Sequence, residues 1–284
     1  MVPTAAAQTT QEPDQLLHSA SSGLIIHRTA QLKNEFRSGG REFAREVAEH
    51  VNRTQTGRAT LFVYEEAFGV HDRIHWLIHL GGLTDYLTLI TMSVNDEGFR
   101  NIFFRERIAP EKGGGDWSRM FPDGSLSERV LIPLRRPGAN GTDGAAFPLP
   151  AGRQTTLPAE QILHSANAGM LVERVGIARY EARDQARELA LEVAERVNLG
   201  LPGVASMFVY EEMFGRQDCL HWLIHLRALD AYTAFLAFVQ EDAGLAEILR
   251  RSGPGGGWSW FLDGSLEETV LVPQFAGSSG TVKR

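Results

Sequence analysis

The chain has 284 residues, 43% hydrophobic and 22% charged, with a formal net charge of −7, enough for one large core or two ordinary ones. An acidic balance with no long basic run argues against nucleic acid as the main partner, because phosphate binding needs clustered Lys and Arg. The single cysteine, Cys219, excludes an intramolecular disulfide framework, and no stretch reaches the roughly 18 apolar residues of a membrane span.

In chain order, residues 1–15 are polar and Ala/Thr-rich, lack the pattern of a signal peptide, and read as a disordered tail. A first unit over 16–134 opens with a β-like run at Leu24-Ile25-Ile26. Phe43, Val47, Ala48 and Val51 then recur at helical spacing. Thr60 to Glu66, a turn around Gly69, and Ile74 to Leu80 predict a β-hairpin. A second helix is predicted over about 84–106, and a closing strand from Glu128 to Pro133 follows the turn at Asp123-Gly124. Residues 135–161, rich in Pro and Gly, read as a linker. A second unit over 162–274 repeats the order: a strand at Met170-Leu171-Val172, a helix through Leu189, Val193, Ala194 and Val197, a hairpin, a helix over 230–251 and a strand from Glu268 to Pro273. Residues 275–284 form a second tail.

The hairpins carry the repeat most clearly. Between 61–80 and 207–226, 14 of 20 positions are identical. A period of about 146 residues is too long for a solenoid, whose units run roughly 20–50, so the chain is a duplicated domain. Its fold class is α+β, with each unit in the β-α-β-β-α-β order of a ferredoxin-like split unit. Helices cover one face of each sheet. The other face must also be buried, and the opposite copy is the available cover, so the two tandem units are predicted to pack sheet to sheet as an intrachain pseudo-dimeric α/β barrel.

This arrangement resembles the dimeric α/β-barrel superfamily, which includes small monooxygenases, polyketide cyclases, aldoxime dehydratase, chlorite dismutase-like haem proteins and NIPSNAP-type proteins. The passage His75-Trp76-Leu77-Ile78-His79-Leu80 into Leu83-Thr84-Asp85-Tyr86 is similar in style to the NIPSNAP strand-to-helix passage. The resemblance implies a fold more strongly than an activity, since such folds host many chemistries.

Six of nine histidines recur in pairs: His18 with His164, His75 with His221, and His79 with His225. His27, His50 and His71 are unpaired and rank lower. On a strand, His75, Leu77 and His79 share one face and Trp76, Ile78 and Leu80 the other. The second set suits a helix-facing core, which turns the histidines toward the space between the units. There they can serve in proton transfer. On a strand the His-x-x-x-His spacing spans roughly 13 Å, too far for one ion. A metal site would have to join His75 to Glu65 or Glu66, or to His221 across the pseudo-twofold. Adjacent strand residues diverge, so one of Glu65 and Glu66 shares the histidine face, and so does one of Glu211 and Glu212. Glu66, with Phe62 and Tyr64, is the preferred choice because it creates a surface for an aromatic ligand.

His75, His221, His79, His225, Glu66 and Glu212 are therefore the candidate catalytic residues. Tyr64, Tyr210, Arg28, Arg174, Glu65 and Glu211 are candidate ligand contacts, the arginines as anchors for a carboxylate or phenolate. Against this stands a structural reading in which the His/Glu pairs are buried hydrogen-bonded links, the Tyr and Trp residues are core, and Asp72 and Asp218 hold the hairpin loop. Ser19 and Ser165 beside His18 and His164 form no nucleophilic pair within one copy. The glycines 113–115 and 255–257 form a loop that could close over the cavity. Cys219 is matched by Arg73, which argues against a catalytic thiol, although such differences between the halves also mark where an active unit would differ from an inactive one.

The expected function is an enzyme acting on a hydrophobic or aromatic small molecule in specialised metabolism, by His/Glu acid-base chemistry in the barrel cavity. Oxygenation without a cofactor, cyclisation, isomerisation and dehydration are the reaction types that the resemblance implies. No cofactor is predicted. A haem- or divalent-metal-dependent enzyme of the same fold and a non-catalytic binding or assembly protein are the alternatives. The expected location is the cytoplasm, without a nucleic-acid or membrane partner, and homo-oligomer formation is left open.

Overall fold

The computed structural model of the chain describes residues 3–135, 148–251 and 256–275. Most of the predicted linker (136–147), the tail beyond 275, and Gly255 of the second glycine run lie outside the described residues. The first unit comprises β1 (Leu24–Gln31), α1 (Arg37–Thr54), β2 (Ala59–Ala67), β3 (Arg73–Leu80), α2 (Leu83–Asn95), α3 (Glu97–Phe104) and β4 (Ser127–Pro133). The second comprises β5 (Met170–Ile177), α4 (Arg183–Gly200), β6 (Ala205–Glu212), β7 (Cys219–Leu226), α5 (Leu229–Glu241), α6 (Ala243–Arg251) and β8 (Glu267–Pro273). Each predicted second helix is thus two. The break falls at Asp96 and Asp242, whose carboxylates accept backbone N–H bonds from Phe99 (2.9 Å) and Leu245 (2.7 Å) and so start a new helix.

The eight strands form one closed antiparallel barrel in the order β1-β3-β2-β8-β5-β7-β6-β4. Within each unit the order is β4-β1-β3-β2 or its counterpart. The units meet by edge pairing of β2 with β8 and β4 with β6. The expected intrachain barrel is thus closed by pairing of the strand edges, with the inner faces packed on each other. Each sheet had two exposed edges, and pairing them satisfies backbone groups that would otherwise stay open.

Side-chain alternation sorts the strands into an outer and an inner face. Outside, Ile26, Leu61, Val63, Ile74, Trp76 and Ile78 pack on Phe43, Val47 and Val51 of α1, and the second unit repeats the pattern with Leu189, Val193 and Val197. Inside, Ile25, Phe62, Tyr64, Leu77 and Leu131 meet Leu171, Phe208, Tyr210, Leu223 and Leu271. An eight-stranded barrel is just wide enough for side chains to fill it, and these residues are at most 1% exposed. The aromatic surface expected for a ligand is therefore a packed core.

Residues 1–15 are not uniformly a disordered tail. Ala5–Gln8 form a short helix with Ala5 fully buried, and Gln8 Nε2 donates to the carbonyls of Val63 (2.8 Å) and Gln274 (2.9 Å). Gln154, inside the expected linker, does the same to Leu134 (3.0 Å) and Val209 (2.7 Å). Each glutamine thus satisfies the backbone at a junction between the units, which holds its segment in place. Among the described residues no helix is long and apolar enough to cross a membrane.

Candidate active site

The inward polar residues gather at two levels of the barrel. At one end His79 and His225 are fully buried. His79 Nδ1 donates to the Thr60 carbonyl (3.2 Å), so its Nε2 accepts from the Ser165 hydroxyl at 2.9 Å. His225 mirrors this with the Ser206 carbonyl (3.3 Å) and the Ser19 hydroxyl (2.8 Å). Each serine hydroxyl also accepts the other serine's backbone N–H at 3.0 Å. Tyr64 and Tyr210 donate to the carbonyls of Ser165 (2.7 Å) and Ser19 (2.6 Å), and the rings of His18 and His164 stack at 3.6 Å. Burial lowers His79 and His225 to about 3, holding both neutral, and pushes both tyrosines up. Ser/His pairs thus exist, but between copies and without access to a reactant. This end is a clasp that joins the units.

The second level runs across the barrel from hairpin to hairpin. Glu66 Oε2 lies 3.6 Å from His75 Nε2, and His75 Nδ1 lies 2.9 Å from His27 Nε2. His27 Nδ1 then meets Glu173 Oε1 at 3.2 Å, and the same oxygen meets His221 Nδ1 at 2.9 Å. His221 Nε2 faces Glu212 Oε2 and Cys219 Sγ, both at 3.6 Å. The line is asymmetric because His27 and Glu173 occupy equivalent positions in the two copies, 146 residues apart. Burial pushes Glu173 up, yet His27 and His221 outweigh it and hold the carboxyl well below its ordinary range. Burial likewise opposes charge on His221, but bonds to Cys219, Glu173 and Glu212 carry it well above the ordinary imidazole range. His75 shows the reverse: burial, then the neighbouring His27, lower it to about 3. Two equivalent imidazoles are therefore shifted in opposite directions.

The hairpin mouths differ as well. In the first unit, Arg73 Nη1 lies 3.3 Å from Glu66 Oε2. In the second, Cys219 stands in that position and borders a cavity of about 390 Å³ that Glu212, Arg129, Arg216, Val175 and Leu262 also line. The Val70 and Arg216 backbone N–H groups fix the two carboxylates, donating to Glu66 Oε1 (2.6 Å) and Glu212 Oε1 (3.1 Å).

His75, His221, Glu66 and Glu212 thus come together on one line, while His79 and His225 belong to the clasp. The ligand contacts expected at Glu65, Glu211, Arg28 and Arg174 are corrected, because strand parity turns all four to the outer face. Glu65 accepts from Arg41 at 2.8 Å, and Glu211 pairs with Arg187. Arg28 pairs with Glu128 and Arg174 with Glu268. Tyr64 and Tyr210 point inward but donate to the clasp. Of the tryptophans that follow the glycine runs, Trp117 stacks on Phe43 at 5.3 Å and Trp258 meets Trp222 at 6.0 Å, both over the outer face. His27, Glu173 and the placement of Cys219 escaped the sequence reading. Their signal was available, since all three are inward positions at which the repeat breaks. No histidine borders the cavities beside α1, at the second hairpin mouth, between α4 and α6, or over Trp117, so none of these four offers an imidazole to a haem.

One family model, described as "Family of unknown function (DUF6039)", matches residues 1–146 and again 140–283. No curated protein matches the chain. Among solved structures, the chain is similar to a protein described as a "putative monooxygenase" from Lactobacillus acidophilus NCFM, with TM-score 0.56 and 8% identity over 89% of this chain and 94% of that one. A protein with the same description from Fusobacterium nucleatum subsp. nucleatum gives TM-score 0.55 and 8% identity over 89% and 93%. A chlorite dismutase mutant from Candidatus Nitrospira defluvii follows at TM-score 0.46 and 12% identity over 89% and 93%, an overlap too loose to bear on chemistry. At such identities the likeness shows the fold alone, that of the dimeric α/β-barrel type. None of these likenesses shows the NIPSNAP link.

Proposed function

We propose that this chain, which belongs to the family of unknown function DUF6039 in two successive copies, is an enzyme that transforms a small molecule by proton transfer at the open mouth of its second unit. We read each copy as a ferredoxin-like unit. The observation that carries the proposal is the pairing of buried His221 with Glu173 at 2.9 Å, its Nε2 lying 3.6 Å from Glu212 and Cys219, which border a cavity of about 390 Å³. An imidazole set by one carboxylate and flanked by another is equipped to accept and return a proton. At the matching place in the first unit, Arg73 lies against Glu66. Arg129 and Arg216 beside Val175, Ile177 and Leu262 suit a substrate with a carboxylate or similar anionic group on an apolar body. That narrows the expected hydrophobic or aromatic substrate, since the aromatic interior is filled. Cyclisation, isomerisation, dehydration and oxygenation without a cofactor all begin with or require such a proton transfer. The monooxygenase description of the structural neighbours is compatible with the last of these.

The test is solvent deuterium exchange into small carboxylic acids, followed by NMR, with hits confirmed by native mass spectrometry. Wild type is expected to exchange a carbon-bound proton. Glu173→Gln should slow this by at least about 100-fold while leaving the fold intact, and Arg129→Ala should weaken binding. Equal exchange in wild type and Glu173→Gln would remove the centre from this mouth.

A further inference from the structure

We infer that the mouth of the second unit binds one divalent metal ion of the zinc class through Glu212, Cys219 and His221, and that in the first unit the guanidinium of Arg73 takes the place of that ion. The inference rests on the reading of this mouth as the reaction centre and deepens it by naming the cation it holds. A proton and an ion compete for Nε2 of His221, so occupancy decides which of them serves the reaction.

Local structure brings the three donors together. Cys219 and His221 are two apart on β7 and so share its inner face, and Glu212 ends β6 on the same face across the hairpin. Sγ and Oε2 each lie 3.6 Å from Nε2, and all three donor atoms fall within 4.8 Å of one another. Ligands on a tetrahedral zinc, at about 2.3 Å for sulfur and about 2.0 Å for nitrogen, stand roughly 3.5 Å apart. A thiolate, an imidazole and a carboxylate form a donor set that suits zinc over the harder magnesium and calcium ions.

Three further observations point to a cation. Glu173 accepts from the far nitrogen of His221 at 2.9 Å, the carboxylate-histidine arrangement that orients a metal-binding ring. Among the described residues, no arginine or lysine side chain forms an ion pair with Glu212; Arg129 and Arg216 border the same cavity without pairing with it, so the carboxylate keeps an oxygen for an ion. Duplication supplies the third. The Glu66 to His75 separation repeats the Glu212 to His221 separation at 3.6 Å, and in that copy the residue at the cysteine position is a cation that reaches the carboxylate. Where the chain gives up the arginine it provides a sulfur ligand. With three protein donors and a cavity on the fourth side, the arrangement is that of a catalytic zinc site, which keeps one position open.

The experiment uses the full chain, freed of any affinity tag and stripped with a chelator, then titrated with Zn²⁺ against a chromophoric chelator and with Co²⁺ by absorbance. One ion per chain is expected, with thiolate-to-cobalt charge-transfer absorption that Cys219→Ser abolishes. Glu173→Gln should weaken binding about 10–100-fold. Arg73→Ala should leave the charge-transfer signal unchanged. Thermal unfolding of each stripped variant checks that the fold persists. No binding at micromolar Zn²⁺, or binding that Cys219→Ser and His221→Gln leave unchanged, would overturn the assignment. If no ion binds while Glu173→Gln still abolishes deuterium exchange, the metal falls and the proton-transfer reading stands. If the ion binds and no acid exchanges, the reverse holds.

Discussion

At the clasped end, Ser19 and Ser165, His79 and His225, and Tyr64 and Tyr210 repeat across the pseudo-twofold with hydrogen bonds that agree within 0.1 Å. Toward the other end the same hairpins carry Arg73 against Cys219, and the first strands carry His27 against Glu173. Joining two equivalent halves asks the same of each, so the bonds that join them stay alike. A reaction centre needs only one copy, so the other can diverge. On the proposed reading, symmetry retained at one end and lost at the other separates structural from functional histidines, although both kinds are buried and both lie on β3 and β7.

Acid should break the clasp, and this is the largest effect we expect. His79 and His225 are lowered to about 3 by burial, His18 to about 4 and His164 to about 2, whereas an unfolded imidazole titrates near 6.5. Below about pH 6.5 the unfolded chain therefore binds protons that the folded chain refuses. The stability these histidines contribute is complete above that pH and is lost as pH falls toward their folded values. Between pH 7 and pH 5 the two fully buried rings should each cost about 2 kcal/mol. His221, shifted the other way, contributes stability that is already complete below pH 6.5 and is lost only as pH rises, so it gives little compensation. Urea unfolding across this range should show a steep fall, and a flat profile would mean that the clasp is not what acid attacks.

A smaller loss should follow from the hydroxyls alone. Ser19→Ala leaves His225 Nε2 without a donor and the Ser165 N–H without an acceptor, a cost of about 1–3 kcal/mol for buried groups. Ser165→Ala should match it, because the bonds are mirror images. The double variant should depart from additivity by at least about 0.5 kcal/mol, since the two residues touch. Unequal single losses would show that the clasp is less symmetric in energy than in geometry.

Much of this was legible in the residues. The His75-x-Leu77-x-His79 alternation gave the inner face, and the parity of Glu66 with Phe62 and Tyr64 placed the carboxylate on it. The putting together of whole elements was harder to read. The repeat of Arg28 and Arg174 on the first strands suggests inward contacts, yet in the register they pair with Trp76 and Trp222 and so face outward. That register follows from long-range pairing that no local pattern reveals. Barrel closure depends on β2 meeting β8, more than 200 residues away in sequence. His27 and Glu173 each look like a lone polar residue in an apolar strand, and only their meeting across the barrel gives either a role. Gln8 and Gln154 sit in segments whose composition suggested disorder, and nothing local shows that each will satisfy a junction of strands.

The smallest change in stability should come from the substitution that most sharpens the comparison between the mouths. Arg73→Cys removes a half-exposed guanidinium whose pairing with the buried Glu66 carboxylate, also held by the Val70 N–H, contributes about 1 kcal/mol, and it places a thiol between Glu66 and His75 as Cys219 stands between Glu212 and His221. If arginine is what excludes the ion from the first unit, the variant should bind a second ion per chain, measured by native mass spectrometry and by doubled thiolate-to-cobalt absorption, whereas Arg73→Ala should not. The second ion should be held about 10–100-fold more weakly, because His75 is backed by His27 where His221 is backed by Glu173. Adding His27→Glu to Arg73→Cys should narrow that gap by giving the ring its carboxylate. A single ion in both variants would show that the thiol and the arginine are not the difference between the two mouths, and would turn attention to Glu173 as the residue that sets them apart.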